Sequence, residues 1–298
     1  MSRSPAAVVV NHDAGDLLLE CVTSLRAEGV SELVVVDNAS SDGSSERLEA
    51  VDDGVRVVRT GRNLGYGAGA NRGLAVVEAE LVLVANPDVV VHQGAVAALA
   101  AALEADPSLG VAGPQILDAD GTRYPSARRF PSWVDAAGHV VLGAWAPGNR
   151  FSRRYRMDDI DLVGSCEVDW VSGACFMARR STLDELHGFD ERYFMYLEDV
   201  DLCFRARRLG YGVSYVPAAT VTHVQGHSTA RRPLRMLAEH HRSALRFAAQ
   251  RSTGWRRLAL PGVAVALGVR FVALAIRQVL QRLWRPHSRS SGAPRQAD

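Results

Sequence analysis

The segment Leu33-Val34-Val35-Val36-Asp37 decides the fold class, because an unbroken apolar run here ends on a carboxylate. Unbroken runs rich in valine are typical of parallel strands that are buried on both faces of a sheet. The same signal occurs at residues 6–10, 55–58 and 81–84, and apolar residues at helical spacing lie between residues 10 and 33. Since strands that alternate with helices imply right-handed crossovers, the sequence predicts an α/β fold with a mostly parallel, Rossmann-like sheet flanked by helices.

The rest of the chain is predicted to continue this pattern less regularly. A helix over about residues 93–105 and a strand near 110–112 follow, and the stretch 113–169, which contains several prolines and glycines, is expected to be irregular. A strand over 171–177, a helix over 199–209 and a strand near 213–216 then restore regular structure.

The composition excludes several classes of protein. With 47% hydrophobic and 22% charged residues among 298, the chain is neither disordered nor fibrous over most of its length. Its four cysteines form no Cys-x-x-Cys pair, which argues against a zinc ribbon or a disulfide scaffold. No apolar leader follows Met1, so we expect a fold on the reducing, cytoplasmic side of the membrane.

The formal net charge of +1 conceals an uneven distribution, because residues 251–298 carry +8 and residues 1–250 carry −7. A basic tail favours attraction to an anionic surface such as membrane phospholipid. Residues 258–276 form an apolar run in which Pro261 and Arg270 argue against a membrane span. We predict an amphipathic helix that lies in the membrane interface, and the alternative is a helix packed on the protein's own core.

Polar residues follow the predicted strands at the sheet edge where ligands of parallel sheets bind. Asp37 and Asn38 end the second strand and are interpreted as ligand contacts, whereas Asp42 is interpreted as a helix cap. The glycine-rich segment 63–71 fits the spacing of a dinucleotide-binding loop, with Asp88 about 20 residues further on. Because the same glycines would let the backbone approach any nucleotide or sugar, or simply begin a helix, the loop alone does not decide the ligand.

The triplet Asn86-Pro87-Asp88 places a carboxylate at the end of the fourth predicted strand. Such a carboxylate can hold Mg²⁺ or Mn²⁺ against substrate phosphates, although Asn-Pro-Asp is also strong turn chemistry. His223 follows a later strand and is the candidate for a second ligand to the same cation, while a lone histidine is more often structural. We interpret Asp88 and His223 together as a metal site.

Acidic residues are densest in the segment 188–205, where Glu198, Asp199 and Asp201 begin a predicted helix. The helix dipole stabilises one or two acids at such a position, but three exceed what capping needs. Carboxylates crowded beside aromatic rings tend to have perturbed proton affinities, which suits a general base. A pair of glycosidase carboxylates is disfavoured, because adjacent residues cannot straddle a glycosidic bond.

The order of these motifs resembles the family 2 glycosyltransferases of the GT-A fold over roughly residues 6–250. The resemblance is carried by Asp37-Asn38-x-Ser40-x-Asp42-Gly43, Asn63-x-Gly65-x-Gly67-x-x-x-Asn71, Asn86-Pro87-Asp88, Ser172-Gly173-Ala174, Gly188-Phe189-Asp190-Glu191 and Glu198-Asp199-x-Asp201. Residues 123–128 and 193–202, followed by His223 and His227-Ser228, are similar to the rhamnosyltransferases of that family. Two positions depart from the family pattern: His12 stands where an aromatic residue is common, and Asn86 stands where the metal triplet usually begins with aspartate.

The resemblance implies a GT-A domain over residues 1–230, with a nucleotide-sugar half at about 1–113 and an acceptor and catalytic half at about 114–230. Beyond the resemblance, the helical and basic pattern of the chain predicts that residues 231–285 form a helical, membrane-associating region and that residues 286–298 form a disordered tail.

The resemblance also implies a role for each candidate residue. Asp199 is the expected catalytic base, with Glu198 and Asp201 beside it, and Asp88 and His223 are the expected ligands of Mg²⁺ or Mn²⁺. The donor is expected to contact the strand ends and the glycine loop at Asn11, Asp37, Asn38, Asn63, Gly65, Gly67, Asn71, Asn86 and Asp88. The acceptor is expected to contact Trp170, Ser172, Gly173 and Glu198.

The implied reaction is an inverting transfer of L-rhamnose from dTDP-L-rhamnose to polyprenyl-diphosphate-linked N-acetylglucosamine during cell-wall linker assembly. The expected partners are the dTDP-sugar donor, the lipid-linked saccharide acceptor and the inner membrane surface, with the enzyme peripheral on its cytoplasmic face. Nucleic acid is not an expected partner, and a homo-oligomer is left open. The alternatives are transfer of another sugar, such as galactofuranosyl from a UDP donor, a dinucleotide-dependent oxidoreductase, and a nucleotide-binding module without catalysis.

Overall fold

Four parallel strands form the first half of a mixed sheet and confirm the predicted α/β class. The computed structural model describes residues 4–130, 146, 148–151, 153, 157, 164–224 and 233–283. The elements of this half are β1 (Ala6–Asn11), α1 (Leu17–Ala27), β2 (Leu33–Asp37), α2 (Ser44–Val51), β3 (Arg56–Arg59), α3 (Tyr66–Leu74) and β4 (Leu81–Ala85). Because the strands pair in the order β3-β2-β1-β4 and all run in one direction, their carboxyl ends share one edge of the sheet.

The second half of the sheet contains strands of both directions. Its elements are β5 (Val89–Val91), α4 (Ala95–Ala105), β6 (Leu109–Leu117), β7 (Arg123–Tyr124), β8 (Ala127–Arg128), β9 (Cys166–Glu167), β10 (Trp170–Val171), β11 (Cys175–Arg179), α5 (Arg180–Glu185), α6 (Glu198–Arg208) and β12 (Gly212–His223). Strand β11 lies antiparallel between β4 and β6, while β12 pairs parallel with β6 and antiparallel with β5. Strands β8 and β10 form a separate two-stranded sheet.

Three strands differ from the predicted bounds. Strand β6 continues to Leu117 although Gly113 was expected to end it, and a Cβ at Gly113 would lie only 2.5 Å from the Cβ of Val171. Gly113 therefore serves close packing rather than chain breaking. The strand predicted over 171–177 is divided into β10 and β11 by residues 172–174, and β12 continues past residue 216 through a register shift.

The two faces of the sheet bury separate apolar clusters, as the period-two alternation of a strand requires. In β1, Val8 and Val10 face the cluster that includes α3, α6 and the later Phe247, whereas Ala7 and Val9 face the cluster that includes α1 and α4. Every residue of β1, β2 and β4 is buried, which explains why these strands are continuously apolar rather than alternating, apart from Asn11 and Asp37 at the ends of β1 and β2.

The C-terminal region contains α7 (Pro233–Arg251), a 3₁₀ helix (Gly254–Ala259) and α8 (Leu260–Leu283). Helix α7 packs into the body of the sheet domain, since the ring of Phe247 is 6% exposed and lies 5.7 Å from that of Phe204. The amide of Gln250 donates to Asp201 at 2.6 Å, and its oxygen accepts a 2.9 Å bond from the hydroxyl of Tyr193. These contacts join α7 to the sheet domain, and the domain boundary expected at residue 230 stays a prediction.

Helix α8 packs along α7 and turns Arg270 and Gln278 inward, whereas Arg277 and Gln281 are exposed. The rings of His241 on α7 and Phe271 on α8 lie 5.7 Å apart, and Arg270 Nε and Gln278 Oε1 are buried on the same side. The outward side carries exposed apolar residues, which with those of the preceding 3₁₀ helix are Trp255, Leu258, Val265, Val269, Val272, Ile276, Val279 and Leu280. Among the described residues, the helical segment 254–281 alone has the length and composition to cross a membrane. The predicted tail, and His227 and Ser228, lie outside the described residues.

Candidate active site

A cleft of about 480 Å³ opens at the sheet edge where β1, β2 and β4 end. Its first wall is lined by residues of the strand ends and the glycine loop, namely Val10, His12, Asn38, Asn63, Gly65, Asn86 and Asp88. Its second wall is lined by residues of the small sheet, α6 and α7, among them Tyr124, Arg128, Trp170, Ser172, Gly173, Glu198, Asp199 and His240. His223, at the end of β12, completes the lining, so the cleft collects residues from both halves of the chain.

The glycine loop is held by the side chain of Asn38. Its Nδ2 donates to Asn63 Oδ1 at 3.2 Å and to the carbonyl of Gly65 at 3.0 Å, and its Oδ1 accepts from the N–H of Leu64 at 2.9 Å. Gly65 has φ +89°, and a Cβ there would lie 2.2 Å from the carbonyl oxygen of Phe194. Glycine is therefore required at position 65 by backbone conformation and by close approach of the segment that precedes α6.

Asn86, Asp88 and His223 converge at one end of the cleft. The Nε2 atom of His223 lies 3.0 Å from Asp88 Oδ1 and 3.1 Å from Asn86 Nδ2, while its Nδ1 is buried with no hydrogen-bond partner among the described residues. The N–H of Val224 donates to the carbonyl of Asp88 at 3.0 Å, which joins the two chain segments. Within the described residues, no cluster of three or more His, Cys, Asp or Glu side chains is placed to hold a metal ion, so Asp88 and His223 stand as a pair.

Glu198 and Asp199 occupy the first turn of α6 and face the cleft. Tyr196 and Leu197 precede them with φ of 67° and 63°, a left-handed conformation that non-glycine residues rarely adopt and that is typical of functional sites. Asp199 Oδ2 accepts a 2.8 Å hydrogen bond from the N–H of Gly173. These constraints fix the direction of the Asp199 carboxylate.

The two carboxyl groups share a water-poor site. Burial raises the pKa of Asp199, while hydrogen bonds from the N–H groups of Gly173 and Val200 and the charge of Arg128 oppose the increase. Burial and the adjacent charge of Asp199 raise the pKa of Glu198 to about 8. Glu198 Oε2 is buried without a hydrogen-bond partner among the described residues. At neutral pH, the arrangement can therefore hold one carboxylate and one neutral carboxyl group side by side.

The predicted acceptor residues lie around Asp199. Trp170 lies on β10 and lines the cleft. Ser172 and Gly173 also line it and form the turn between β10 and β11. The hydroxyl of Tyr66 donates a 2.6 Å hydrogen bond to the carbonyl of Gly173, so the start of α3 supports the same turn.

Several predicted site residues lie outside the cleft lining. Asn11 is fully buried, and its Nδ2 donates to the hydroxyls of Ser40, Ser44 and Ser45. Asp37 ends β2 with 7% exposure and accepts from the N–H of Ser40 at 3.0 Å. Both residues shape the loop after β2, and direct contact with a donor stays a prediction for them.

Gly67, Asn71 and Asp201 also have partners within the protein. A Cβ at Gly67 would lie 2.9 Å from that of Phe189, and Asn71 bonds both backbone groups of Phe189 at 2.9 Å. Asp201 is fully buried, forms a 2.7 Å ion pair with Arg205 and is not among the described residues of the cleft lining, so a place beside the catalytic base stays a prediction for it. These residues position the loop 188–197 and α6 rather than line the cleft.

Four of the cleft-lining residues that the sequence analysis left unassigned bear directly on the chemistry of the site. His12 was noted only as a departure from the family pattern, and Arg128 only as part of a similar segment. Tyr66 lay within a glycine motif, and His240 lay in a region assigned to the membrane. Each of these residues lines the cleft because of tertiary packing, which the spacing of residues in the local sequence does not predict.

Comparison with known proteins agrees with this geometry. The sequence matches the family described as "Glycosyltransferase like family 2" over residues 4–255. The curated N-acetylglucosaminyl-diphospho-decaprenol L-rhamnosyltransferase of Mycobacterium tuberculosis is 41% identical over 248 residues, which are 80% of this chain and 80% of that protein.

Solved structures show the same fold at low sequence identity. Mannosyltransferase PcManGT from Pyrobaculum calidifontis, in complex with GDP-Man and Mn²⁺, superposes with a TM-score of 0.58 at 15% identity, covering 96% of this chain and 82% of that one. Residues 1–349 of S. aureus TarS superpose with a TM-score of 0.55 at 14% identity, covering 95% and 76% of the two chains. The glycine loop thus belongs to a GT-A-like fold, in which it precedes α3, and the alternative of a dinucleotide-dependent oxidoreductase is set aside. The chain belongs to glycosyltransferase family 2 and is an enzyme of that family.

Proposed function

We propose that this enzyme transfers L-rhamnose from dTDP-L-rhamnose to N-acetylglucosamine carried on a polyprenyl diphosphate, with inversion at the anomeric carbon. One observation carries the proposal: a single cleft contains a half-buried carboxylate, Asp199, and the Asp88–His223 pair at 3.0 Å beside the glycine loop. The named activity of the mycobacterial relative, at 41% identity over 80% of both chains, supports the choice of sugar and acceptor.

Asp199 is the proposed general base. Its carboxylate is oriented by Gly173 and is close to the residues that are proposed to bind the acceptor. As the acceptor hydroxyl attacks the anomeric carbon, Asp199 takes its proton and the bond to the nucleoside diphosphate breaks in the same displacement. The raised pKa of Asp199 favours acceptance of that proton.

Glu198 is the proposed partner of sugar hydroxyls. Because Glu198 Oε2 is buried and has no hydrogen-bond partner among the described residues, a hydroxyl group of a bound sugar would satisfy it. With a pKa of about 8, Glu198 is protonated at neutral pH and can donate as well as accept a hydrogen bond. It would thus bind a sugar without adding a second negative charge beside Asp199.

The donor is proposed to lie along the first wall, with its diphosphate at Asp88 and His223. The two side chains offer a carboxylate oxygen and an imidazole nitrogen 3.0 Å apart, which fits Mn²⁺ or Mg²⁺ completed by phosphate oxygens. Asn86 has its Nδ2 3.1 Å from the same imidazole nitrogen and would add an amide oxygen only after its side-chain amide turns over. When bound, the cation neutralises the charge that develops on the departing nucleoside diphosphate. Two solved relatives of the fold, PcManGT and GalNAc-T7, contain Mn²⁺.

The bilayer surface is the proposed location of the enzyme, on the cytoplasmic side. The outward side of α8 exposes Val269 and Val272 at 66% and 54%, and the C-terminal 48 residues from 251 to 298 carry a charge of +8. An apolar helix side bordered by arginine suits insertion into anionic lipid, where a polyprenyl-linked acceptor resides. Because α8 packs along α7, we propose that it lies in the membrane interface rather than spans it.

A panel of nucleotide sugars tests the proposal directly. The purified enzyme is incubated with N-acetylglucosaminyl diphosphate on a polyprenyl chain and with dTDP-L-rhamnose, UDP-galactofuranose, UDP-glucose or GDP-mannose. We expect transfer from dTDP-L-rhamnose alone, with an inverted linkage by NMR. Efficient transfer from UDP-galactofuranose would establish the alternative donor, and nucleotide-sugar binding without transfer or hydrolysis would support a non-catalytic module.

A further inference from the structure

Arg128 brings a permanent positive charge into the cleft. It is the single arginine among the described lining residues, and the chain contains no lysine. Its Cζ lies 5.1 Å from the ring centroid of Trp170 and 5.4 Å from that of Tyr124. Its Nε donates to the carbonyl of Pro125 at 2.8 Å, and a terminal nitrogen donates to the Tyr124 hydroxyl at 2.9 Å. The guanidinium is therefore held in place before any substrate arrives.

The position of Arg128 associates it with the base rather than with the Asp88–His223 pair. Arg128 lies on β8, directly opposite Trp170 on β10. Strand β10 leads into the turn whose Gly173 N–H holds Asp199. The positive charge of Arg128 also lowers the pKa of Asp199 and so opposes the effect of burial, which indicates an electrostatic interaction between the two side chains. Arg128 thus belongs to the wall where the acceptor is expected.

The proposed reaction has two anionic groups to bind, the diphosphate of the donor and the diphosphate of the acceptor. The donor diphosphate is assigned to Asp88 and His223, whereas the acceptor carries a second diphosphate next to the sugar whose hydroxyl attacks the donor's anomeric carbon. A guanidinium is the side chain best matched to phosphate oxygens, because it can donate two parallel hydrogen bonds. We propose that Arg128 binds the diphosphate of the lipid-linked acceptor and thereby places the adjoining sugar at Asp199. The inference rests on the proposed function.

Two acceptors with alkyl chains of equal length test the contact between Arg128 and the acceptor diphosphate. One is N-acetylglucosamine linked through a diphosphate to a short, soluble alkyl chain, and the other is the neutral alkyl glycoside of the same sugar. Arg128→Met, Arg128→Lys and the unchanged enzyme are assayed with dTDP-L-rhamnose on both. Arg123→Met is the matched control, because Arg123 also lies over an aromatic ring, at 5.4 Å from Tyr215, but is not part of the described cleft lining.

We expect Arg128→Met to lose at least about tenfold in kcat/KM on the diphosphate acceptor, mainly through KM, and to keep its rate on the neutral glycoside when each protein is assayed at its own pH optimum, since loss of the arginine charge also raises the pKa of Asp199. Arg128→Lys should recover part of the loss. Raising the salt concentration should lower kcat/KM of the unchanged enzyme on the diphosphate acceptor and leave its kcat/KM on the neutral glycoside unchanged. Arg123→Met should match the unchanged enzyme. Binding of dTDP, followed by tryptophan fluorescence, should be the same in all four proteins.

Three results overturn the inference. Equal losses on both acceptors would reduce Arg128 to a support for Tyr124 and Trp170, and weaker dTDP binding in Arg128→Met would assign it to the donor diphosphate. Unchanged kinetics of a folded Arg128→Met would exclude any role. If the unchanged enzyme used neither acceptor, the proposed function itself would fail, which is distinguishable because it does not depend on the variant.

Discussion

The backbone N–H of Gly173 lies 2.8 Å from Oδ2 of Asp199, and this bond joins the turn between β10 and β11 to the first turn of α6. A Cβ at Gly173 would approach the Cβ of Asp199 to 3.0 Å, so the two segments are in close contact. The carboxylate is consequently fixed by the backbone, whose position a side-chain substitution at Asp199 need not disturb.

Asp199→Asn should bind dTDP normally and lose turnover. The amide keeps the shape and can still accept from Gly173, but it cannot take a proton, and general bases contribute at least about 100-fold to rates. Initial rates of rhamnose transfer and dTDP titrations by tryptophan fluorescence measure the two effects. Asp190→Asn is the control, because Asp190 forms an ion pair with Arg192 and is not among the described residues of the cleft. Full turnover of Asp199→Asn would remove Asp199 as the base.

Asp88→Ala should weaken dTDP binding by at least about tenfold when Mn²⁺ is present, because the diphosphate would lose its cation-mediated contact. The same variant should equal the unchanged protein when EDTA is present. Isothermal titration of dTDP with and without Mn²⁺ gives both values. His223→Ala should behave like Asp88→Ala, whereas His92→Ala should not, since His92 is exposed and contacts Thr222 at 2.9 Å. If Asp88→Ala weakened dTDP binding equally with Mn²⁺ and with EDTA, Asp88 would contribute to dTDP binding without a metal ion.

Glu198→Gln should change the pH dependence of stability. The pKa of Glu198 is raised from 4.5 to about 8, so the folded state retains a proton that the unfolded state releases between these values. Stability of the unchanged protein should therefore fall as the pH rises from about 4.5 to 8, by at most about 1.4 kcal/mol per pH unit from this group.

Because glutamine does not titrate, Glu198→Gln should gain stability relative to the unchanged protein toward pH 8 and show little difference near pH 5. Urea unfolding followed by circular dichroism at pH 5, 6.5 and 8 provides the comparison. A constant difference across this range would show that Glu198 titrates normally.

The double variant Val272→Glu, Ile276→Glu should fold normally and bind anionic vesicles at least about 100-fold more weakly. Both side chains are 54% exposed on the outward side of α8, so their replacement removes apolar area available to lipid without opening the core. Flotation with vesicles of phosphatidylglycerol and phosphatidylcholine measures binding. Val51→Glu controls for added charge, because Val51 is 66% exposed on α2. Equal flotation of all proteins would separate α8 from the membrane.

The sheet could be predicted because its central strands are buried on both faces and therefore appear as continuous apolar runs. The division between β10 and β11 could not, since Ser172, Gly173 and Ala174 interrupt an otherwise apolar segment by only three residues. Gly113 misled the prediction for a related reason: its role is to admit Val171, and the sequence does not reveal which residue packs opposite a glycine.

Asp88, Asp199 and His223 could be proposed from sequence because each follows or begins a regular element with chemistry that capping does not need. Structure places all three in one cleft. Asp201 has the same local signal as Asp199, yet it lies on another side of α6 and binds Arg205. Arg128 has no such signal, because an arginine in a short strand looks like any other surface residue until its partners are known.

The contacts of α7 set a practical limit on shortening this polypeptide for crystallisation or assay. Cutting at residue 230 would uncover the rings of Phe130 and Phe204, take a hydrogen bond from buried Asp201 and remove His240 from the cleft. Ending the chain after Arg251 would instead remove the apolar helix α8 and leave Phe247 and Gln250 in place. Helix α8, whose outward side is the most apolar exposed surface described, can thus be removed without removing any residue of the described cleft lining, provided that the chain is cut after the end of α7.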